Sequence, residues 1–273
     1  MIRKLIPFFL ILISFSCTKQ KEEVTPAPIS EPVPLFLQPD QYVMTYMLYP
    51  ANSFPGYDKP VVKLEYNVLG NVIKRTGGLL HINPNSGFGE FFNPGIYEDI
   101  SYNGNKITIT QADTFKTLNV WPNPKPIFLD AQSRIQKTIK ETTIYNTTYD
   151  TVLYYYSAGK LAYTVLDNYP NRLTRNFFFD AAENLTKTEA ISINRFYNDT
   201  LFLETEIFTD YDNAPNPLKR LGIFDELFYR SLSQNNFRKY TFQRTDKAGY
   251  VTATNNRTWQ FRYDINGNVI FNE

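Results

Sequence analysis

The feature that most constrains this chain is a hairpin pattern that it repeats. The last copy is Phe261-Arg262-Tyr263-Asp264-Ile265-Asn266-Gly267-Asn268-Val269-Ile270. Phe261 and Tyr263 alternate with Gln260, Arg262 and Asp264, the period-two pattern of a half-buried strand. Asn266-Gly267 then supplies residues that enter positive φ at low cost, as a twisted hairpin requires. Val269-Ile270-Phe271 resumes a β-prone run. The same scheme of aromatic, small polar residue, two spacers, Gly or polar, then apolar returns at Tyr66-Asn67-Val68-Leu69-Gly70-Asn71-Val72. Phe179-Asp180-Ala181-Ala182-Glu183-Asn184-Leu185 keeps the spacing without the glycine, and Thr245-Asp246-Lys247-Ala248-Gly249-Tyr250-Val251 keeps the turn without the aromatic. Leu129-Asp130-Ala131-Gln132-Ser133-Arg134-Ile135 is a looser copy. Tyr102-Asn103-Gly104-Asn105-Lys106 and Tyr156-Ser157-Ala158-Gly159-Lys160 are about one residue shorter.

Tyr263-Asp264-x-x-Gly267-Asn268 and Tyr66-Asn67-x-x-Gly70-Asn71 resemble the YD repeats of Rhs-type proteins. They are closer still to uncharacterised repeat lipoproteins of Bacteroidota. Tyr211-Asp212-Asn213, Asn216-Pro217 and Leu232-Ser233-Gln234-Asn235-Asn236 are similar to a segment of that second group. The resemblance covers roughly residues 60–273. It implies a long antiparallel sheet and an exported lipoprotein, and it brings no catalytic residues with it.

Residues 1–16 read as a lipoprotein signal peptide: Arg3-Lys4, then an apolar run from Leu5 to Ile13, too short to span a bilayer as a helix. Ser16-Cys17 ends it in the manner of a lipobox, so Cys17 is the expected lipidation site. Two or more acyl chains there would anchor the protein stably. Cys17 is the sole cysteine, which leaves none for a disulfide. Residues 17–36 read as a tether, charged at Lys19 to Glu23 and extended by Pro26, Pro28, Pro32 and Pro34. Together with the resemblance, these features imply an outer-membrane lipoprotein, on the cell surface or the periplasmic face.

Residues 37–273 read as one mainly β domain, a long curved antiparallel sheet of YD-like hairpin repeats with one short helical segment. Tyr42, Met44 and Tyr46 alternate with Val43, Thr45 and Met47 as a first strand, and Val62, Leu64 and Tyr66 share a face of the next. Thr138 to Tyr145, Thr151 to Tyr156, Asn176 to Phe179, Leu201 to Phe208 and Lys239 to Gln243 continue the series. Asn216-Pro217 opens the exception as an N-cap followed by proline. Leu218, Leu221, Phe224 or Asp225, Phe228 and Leu232 then recur at helical spacing, forming a helix or a broken helical loop over an end or face of the sheet. Ser86 to Gly89 and Trp121 to Pro126 read as loops.

The inventory for chemistry is thin. His81 is the lone histidine and sits in a strand-like run, and Cys17 is assigned to the lipid, so Ser-His-Asp, Cys-His and His/Cys zinc arrangements lack parts. No P-loop, dinucleotide fingerprint or HExxH occurs, and no cofactor is expected. With 28 Lys and Arg against 27 Asp and Glu the chain lacks the excess of positive charge that nucleic acid selects. A glycoside hydrolase needs just two carboxylates, and Glu204 and Glu206 share a strand face, there expected to be solvated. Asp210, Asp212 and Asn213 read as a turn, without the Gly and terminal Glu of a calcium loop. Tyr154-Tyr155-Tyr156 must put side chains on both faces of a sheet, which makes them the candidate ligand-binding residues. The expectation is a membrane-anchored, non-enzymatic binding or scaffold module for a glycan, peptide or envelope protein. The alternatives are a carboxylate-dependent hydrolase, or a carrier sheltering an apolar ligand in a half-barrel.

Overall fold

Alternating apolar and polar residues, broken by short polar turns, favour pairing each strand with its sequence neighbour so that one face is buried. The computed structural model follows this rule throughout. It describes residues 37–47, 60–81, 90–113, 124–141 and 149–271; the expected signal peptide, Cys17 and the expected tether lie outside them. Fourteen strands form one antiparallel sheet in strict sequence order. They are β1 (Gln41–Val43), β2 (Val61–Tyr66), β3 (Val72–His81), β4 (Glu90–Asn103), β5 (Lys106–Asp113), β6 (Lys125–Leu129) and β7 (Ile135–Glu141). After them come β8 (Tyr149–Ser157), β9 (Lys160–Asn168), β10 (Asn171–Phe179), β11 (Leu185–Asn194), β12 (Asp199–Tyr211), β13 (Phe237–Asp246) and β14 (Val251–Thr258). A separate two-stranded sheet pairs β15 (Arg262–Tyr263) with β16 (Val269–Ile270). β1 and β14 do not pair, so the sheet is not a closed barrel.

The repeated sequence makes a repeated loop. Asn67, Asp130, Asp246 and Asp264 each accept, through Oδ1, the N–H groups two and four residues ahead. Asp180 accepts the N–H of Asn184 in the same way. The fourth residue of each loop enters the left-handed region: Gly70 at φ 71°, Ser133 at 59°, Glu183 at 66°, Gly249 at 87° and Gly267 at 80°. The two shorter copies are tight turns, with Gly104 at φ 57° and the Ala158-Gly159 pair at 48° and 79°.

A second regularity accompanies the loops. Tyr102 donates its hydroxyl to Val72 O (2.9 Å), Tyr156 to Ile135 O (2.8 Å) and Tyr211 to Leu185 O. Each tyrosine lies at or near the end of its strand and reaches the first residue of the strand before it. Tyr102 and Tyr156 precede the tight turns. Where the third tight turn would follow Tyr211, the chain instead inserts residues 212–236 between β12 and β13. Loop and turn therefore alternate along one end of the sheet, and the insertion occupies a turn position.

The insertion lines the core. It folds as successive turns, a 3-10 turn at Asp225–Leu227 and the four-residue helix α2 (Phe228–Ser231), so the broken form of the expected helix is the one adopted. Asn216 ties its ends, accepting the N–H of Leu218 and donating Nδ2 to Arg230 O and Ser233 O. Leu218, Leu221, Phe224 and Leu227 are buried in one cluster with Val62, Phe92, Ile127, Leu161, Phe208 and Phe237 of the sheet. Glu226 meets Arg75 of β3, while Phe228, two residues later, meets Tyr154 of β8 and Phe177 of β10. A flat sheet would hold β3 and β10 roughly 34 Å apart at ~4.8 Å per strand. The sheet must curve around the insertion for two neighbouring side chains to reach both.

Two local expectations are corrected. β1 stops at Val43, and Met44–Met47 form a helical turn, α1, instead of continuing the strand. This buries Met44 and Met47 together, which alternation would have split. The loop expected through Pro126 ends earlier, because Lys125 and Pro126 open β6, where a proline is tolerated at a strand's start. The loop at Ser86 to Gly89 lies outside the described residues.

Candidate functional site

Glu204 and Glu206 do share a face of β12, but it is the inner one. The strand buries Glu204, Glu206 and Phe208 and exposes Leu203 and Ile207. The expected solvated acidic face is thereby overturned, for a reason visible in the register. Thr188 and Ala190 of β11 stand opposite Glu206 and Glu204, and Phe242 and Arg244 of β13 stand on the other side. Arg175 on β10 reaches across β11. Its Nη2 donates to Glu204 Oε2 at 2.6 Å, and its Nη1 to Glu206 Oε2 and to Thr188 Oγ1. Arg244 adds a second guanidinium, with Nη2 2.6 Å and Nε 3.0 Å from Glu204 Oε1. Glu206 also accepts from Thr188 Oγ1 (2.6 Å) and from the Tyr240 hydroxyl (3.0 Å). Burial pushes the Tyr229 phenol well up, and its hydrogen bond to Glu206 adds to that effect. The Arg175 guanidinium is held above its ordinary value: burial opposes its charge, but Tyr229, Glu206 and Glu204 outweigh burial.

A second polar cluster joins the insertion to the first strands. Arg75 pairs with Glu98 of β4 at 2.9 Å and with Glu226 of the insertion at 2.5 Å, and its Nε donates to the Tyr42 hydroxyl. Tyr42 in turn donates to Glu226 Oε1 at 2.5 Å. Lys125 of β6 pairs with Asp225 at 2.9 Å. Burial pulls the Lys125 ammonium down, but Asp225 prevails and holds it above the ordinary lysine value. Nearby, a cavity of about 200 Å³ is bounded by Lys125, Ile127, Thr138, Tyr154, Phe228 and Tyr229, among others. That is smaller than the roughly 300–1,000 Å³ of ordinary ligand pockets.

The three tyrosines separate. Tyr154 faces inward, edge-on to Phe228 at 5.8 Å between centroids. Tyr156 is the hydroxyl donor to Ile135 O, with the Arg134 guanidinium 4.2 Å from its ring centroid. Burial pushes its phenol up to about 12. Tyr155 alone faces outward, 39% exposed and stacked on Tyr163 at 4.4 Å. The turn at Asp210 to Asn213 is a clasp. Asp210 pairs with Arg238, and Asp212 accepts from Ala214 N–H, Asn236 N–H and the Tyr263 hydroxyl. Among the described residues no cluster of three or more metal-ligating side chains forms. Tyr263 is 40% exposed, and Phe261 and Phe271 are the buried rings of the last hairpin. His81 is the final residue of β3.

Sequence reasoning missed Arg175, Arg244, Thr188 and Tyr240. A signal was present: Glu204 and Glu206 have the same parity as Phe202 and Phe208, while Leu203 and Ile207 have the other. Acids in phase with aromatics mark a buried polar network as readily as a reversed face.

Neither a family model nor a curated protein matches the chain. Among solved structures it is similar to a porin-like protein from Bacteroides vulgatus ATCC 8482, with 14% identity over 79% of this chain and 87% of that one, at TM-score 0.50. It also overlaps a chain of the TcdB2-TccC3-Cdc42 structure at 12% identity and TM-score 0.30, over 77% of this chain and 11% of that one. At such identities the first likeness concerns the fold alone. The chain thus shares the architecture of a long antiparallel β array with a porin-like protein.

Proposed function

We propose that this chain is an envelope-associated lipoprotein, anchored through Cys17, whose β array serves as a non-enzymatic binding or scaffold module. The observation that carries the reading is the engagement of the two candidate carboxylates. Glu204 faces two guanidiniums and Glu206 faces one guanidinium and hydroxyl donors, with both side chains under a tenth exposed. A general acid or nucleophile for glycoside hydrolysis needs a substrate sugar between its carboxylates. Here Arg175 spans them instead. The insertion occupies the hollow that a carrier would use, while the Tyr155–Tyr163 stack stands on the outer face. Support for the envelope comes from the apolar run ending at Cys17 and from the fold shared with a porin-like protein.

The test runs glycan, peptide and lipid binding screens beside glycosidase and esterase assays on the purified, processed chain. Binding without turnover is expected. Turnover abolished by Glu204→Gln or Glu206→Gln in a variant that keeps its fold would overturn the proposal and install the hydrolase.

A further inference from the structure

Antiparallel order brings the β9–β10, β11–β12 and β13–β14 tips to one end of the sheet, opposite the β10–β11 loop. The first two tips pack against each other. Tyr169 and Phe196 meet edge to face with centroids 5.0 Å apart, and Phe196 and Tyr197 lie 6.4 Å apart. The Arg195 guanidinium sits 5.6 Å from the Tyr169 ring, and Arg195 N–H donates to Pro170 O at 3.0 Å. Three rings are thus organised into one platform, yet they remain 67%, 63% and 82% exposed. Turn chemistry does not require them, since Asn194 Oδ1 already accepts the N–H groups of Phe196 and Tyr197. Nor does the core: the three rings lie outside the buried cluster and keep most of their surface in water, so they gain little stability there.

The groups around the platform narrow its occupant. Asp167 pairs with both Arg195 (3.1 Å) and Arg172 (3.5 Å), and Asp199 pairs with Lys247 of the third tip at 2.8 Å. The local charge is therefore largely cancelled, which disfavours an anionic lipid surface. Asn168, Asn171, Asn194 and Asn198 supply amides at both tips. A protein partner needs a broad patch, on the order of 800 Å² per side, and a protruding cluster of three rings falls short of that. A neutral sugar fits: its CH face stacks on an aromatic ring, and its hydroxyls both donate and accept toward amides and an Arg–Asp pair.

We infer that the Tyr169–Phe196–Tyr197 platform is a glycan-binding site for neutral, hydroxyl-rich chains. This deepens the binding-module reading and rests on it. The experiment is native affinity electrophoresis of the otherwise complete Cys17→Ala chain in gels cast with xylan, galactomannan or a β-glucan. Co-sedimentation with phosphatidylcholine and phosphatidylglycerol vesicles runs in parallel. Retardation by at least one polysaccharide is expected. Tyr169→Ala together with Tyr197→Ala should weaken it about tenfold or more, the sum expected of two stacked rings, without shifting the melting temperature. Tyr155→Ala should leave it intact. Retardation lost in Tyr155→Ala but kept in the tip variant would overturn the site while leaving a binding module. Vesicle binding without retardation would overturn the ligand class, and so would the absence of both.

Discussion

Replacing Arg175 with methionine removes a side chain that touches both Glu204 and Glu206. The stem volume is kept, so the change isolates charge and hydrogen bonding. Glu204 retains Arg244, whose own side chain is 42% exposed. Glu206 retains only neutral donors, Thr188 Oγ1 and the Tyr240 hydroxyl among them. Breaking a buried ion pair from one side costs about 3–5 kcal/mol, and these remaining partners place the loss near the lower bound. For a chain of this size ~3 kcal/mol lowers the melting temperature by roughly 6–12 °C. Urea unfolding followed by far-ultraviolet circular dichroism and tryptophan fluorescence measures it, with coincidence of the two signals as the two-state check. Adding Glu206→Gln to the methionine variant should recover about 1–2 kcal/mol, because the stranded charge disappears while its hydroxyl donors still find an acceptor. High salt should change the loss little, since buried pairs are weakly screened. A loss under about 1 kcal/mol, or one that vanishes in salt, would refute the argument that the network is desolvated.

Gly267→Val should cost about 1–2 kcal/mol from backbone strain alone, because a Cβ there meets nothing within 4 Å; an unchanged urea midpoint would argue against the positive-φ turn. Gly77→Ala should cost more, since at φ 93° its Cβ would also lie 2.9 Å from Val61 O and 3.0 Å from the Phe92 ring; a midpoint shift no larger than that of Gly267→Val would contradict this. Burial pushes the Tyr102 and Tyr156 phenols up to about 12, so their stabilising contribution is complete below the ordinary value of about 10 and is lost as pH rises through the folded values. Absorbance titration of the phenolate should show Tyr156→Phe deleting a late-titrating group, and loss of an early one would sink the assignment. Cys17→Ala should move the protein from the membrane fraction to the soluble one, and a variant that stays in the membrane fraction through alkaline washing would exclude the lipid anchor.

The loops were legible because their chemistry is local. Asn67, Asp130, Asp180, Asp246 and Asp264 close their own turns with groups no more than four residues away. Antiparallel order followed from the same short connections. The path of residues 212–236 was not legible in that way. Its apolar residues show helical spacing, but what they cover depends on how far the sheet bends, and bending is the sum of many small strand twists. The inner charges were obscured for the same reason. Arg175 meets Glu204 and Glu206 across an intervening strand, so no sequence spacing encodes the contact.

The Tyr211 position shows how the insertion and the repeat fit together. Tyr102 and Tyr156 pin their strand ends before a tight turn, and Tyr211 pins its own before leaving the sheet. Asp212 then accepts from Asn236 N–H at 3.0 Å, bringing the two ends of the insertion together. The sheet consequently crosses from β12 to β13 as if a tight turn were still there: past Asp210, which is unpaired in the ladder at φ 57°, Tyr211 pairs with Phe237 in the same antiparallel register. Because the register survives, the insertion supplies Leu218, Leu221, Phe224 and Leu227 to a core that this curved sheet, with one face turned inward, would otherwise leave wet. Its acids and aromatics then meet the charges that β3, β6 and β10 send inward. Interior polarity and the packing of the insertion are therefore one arrangement.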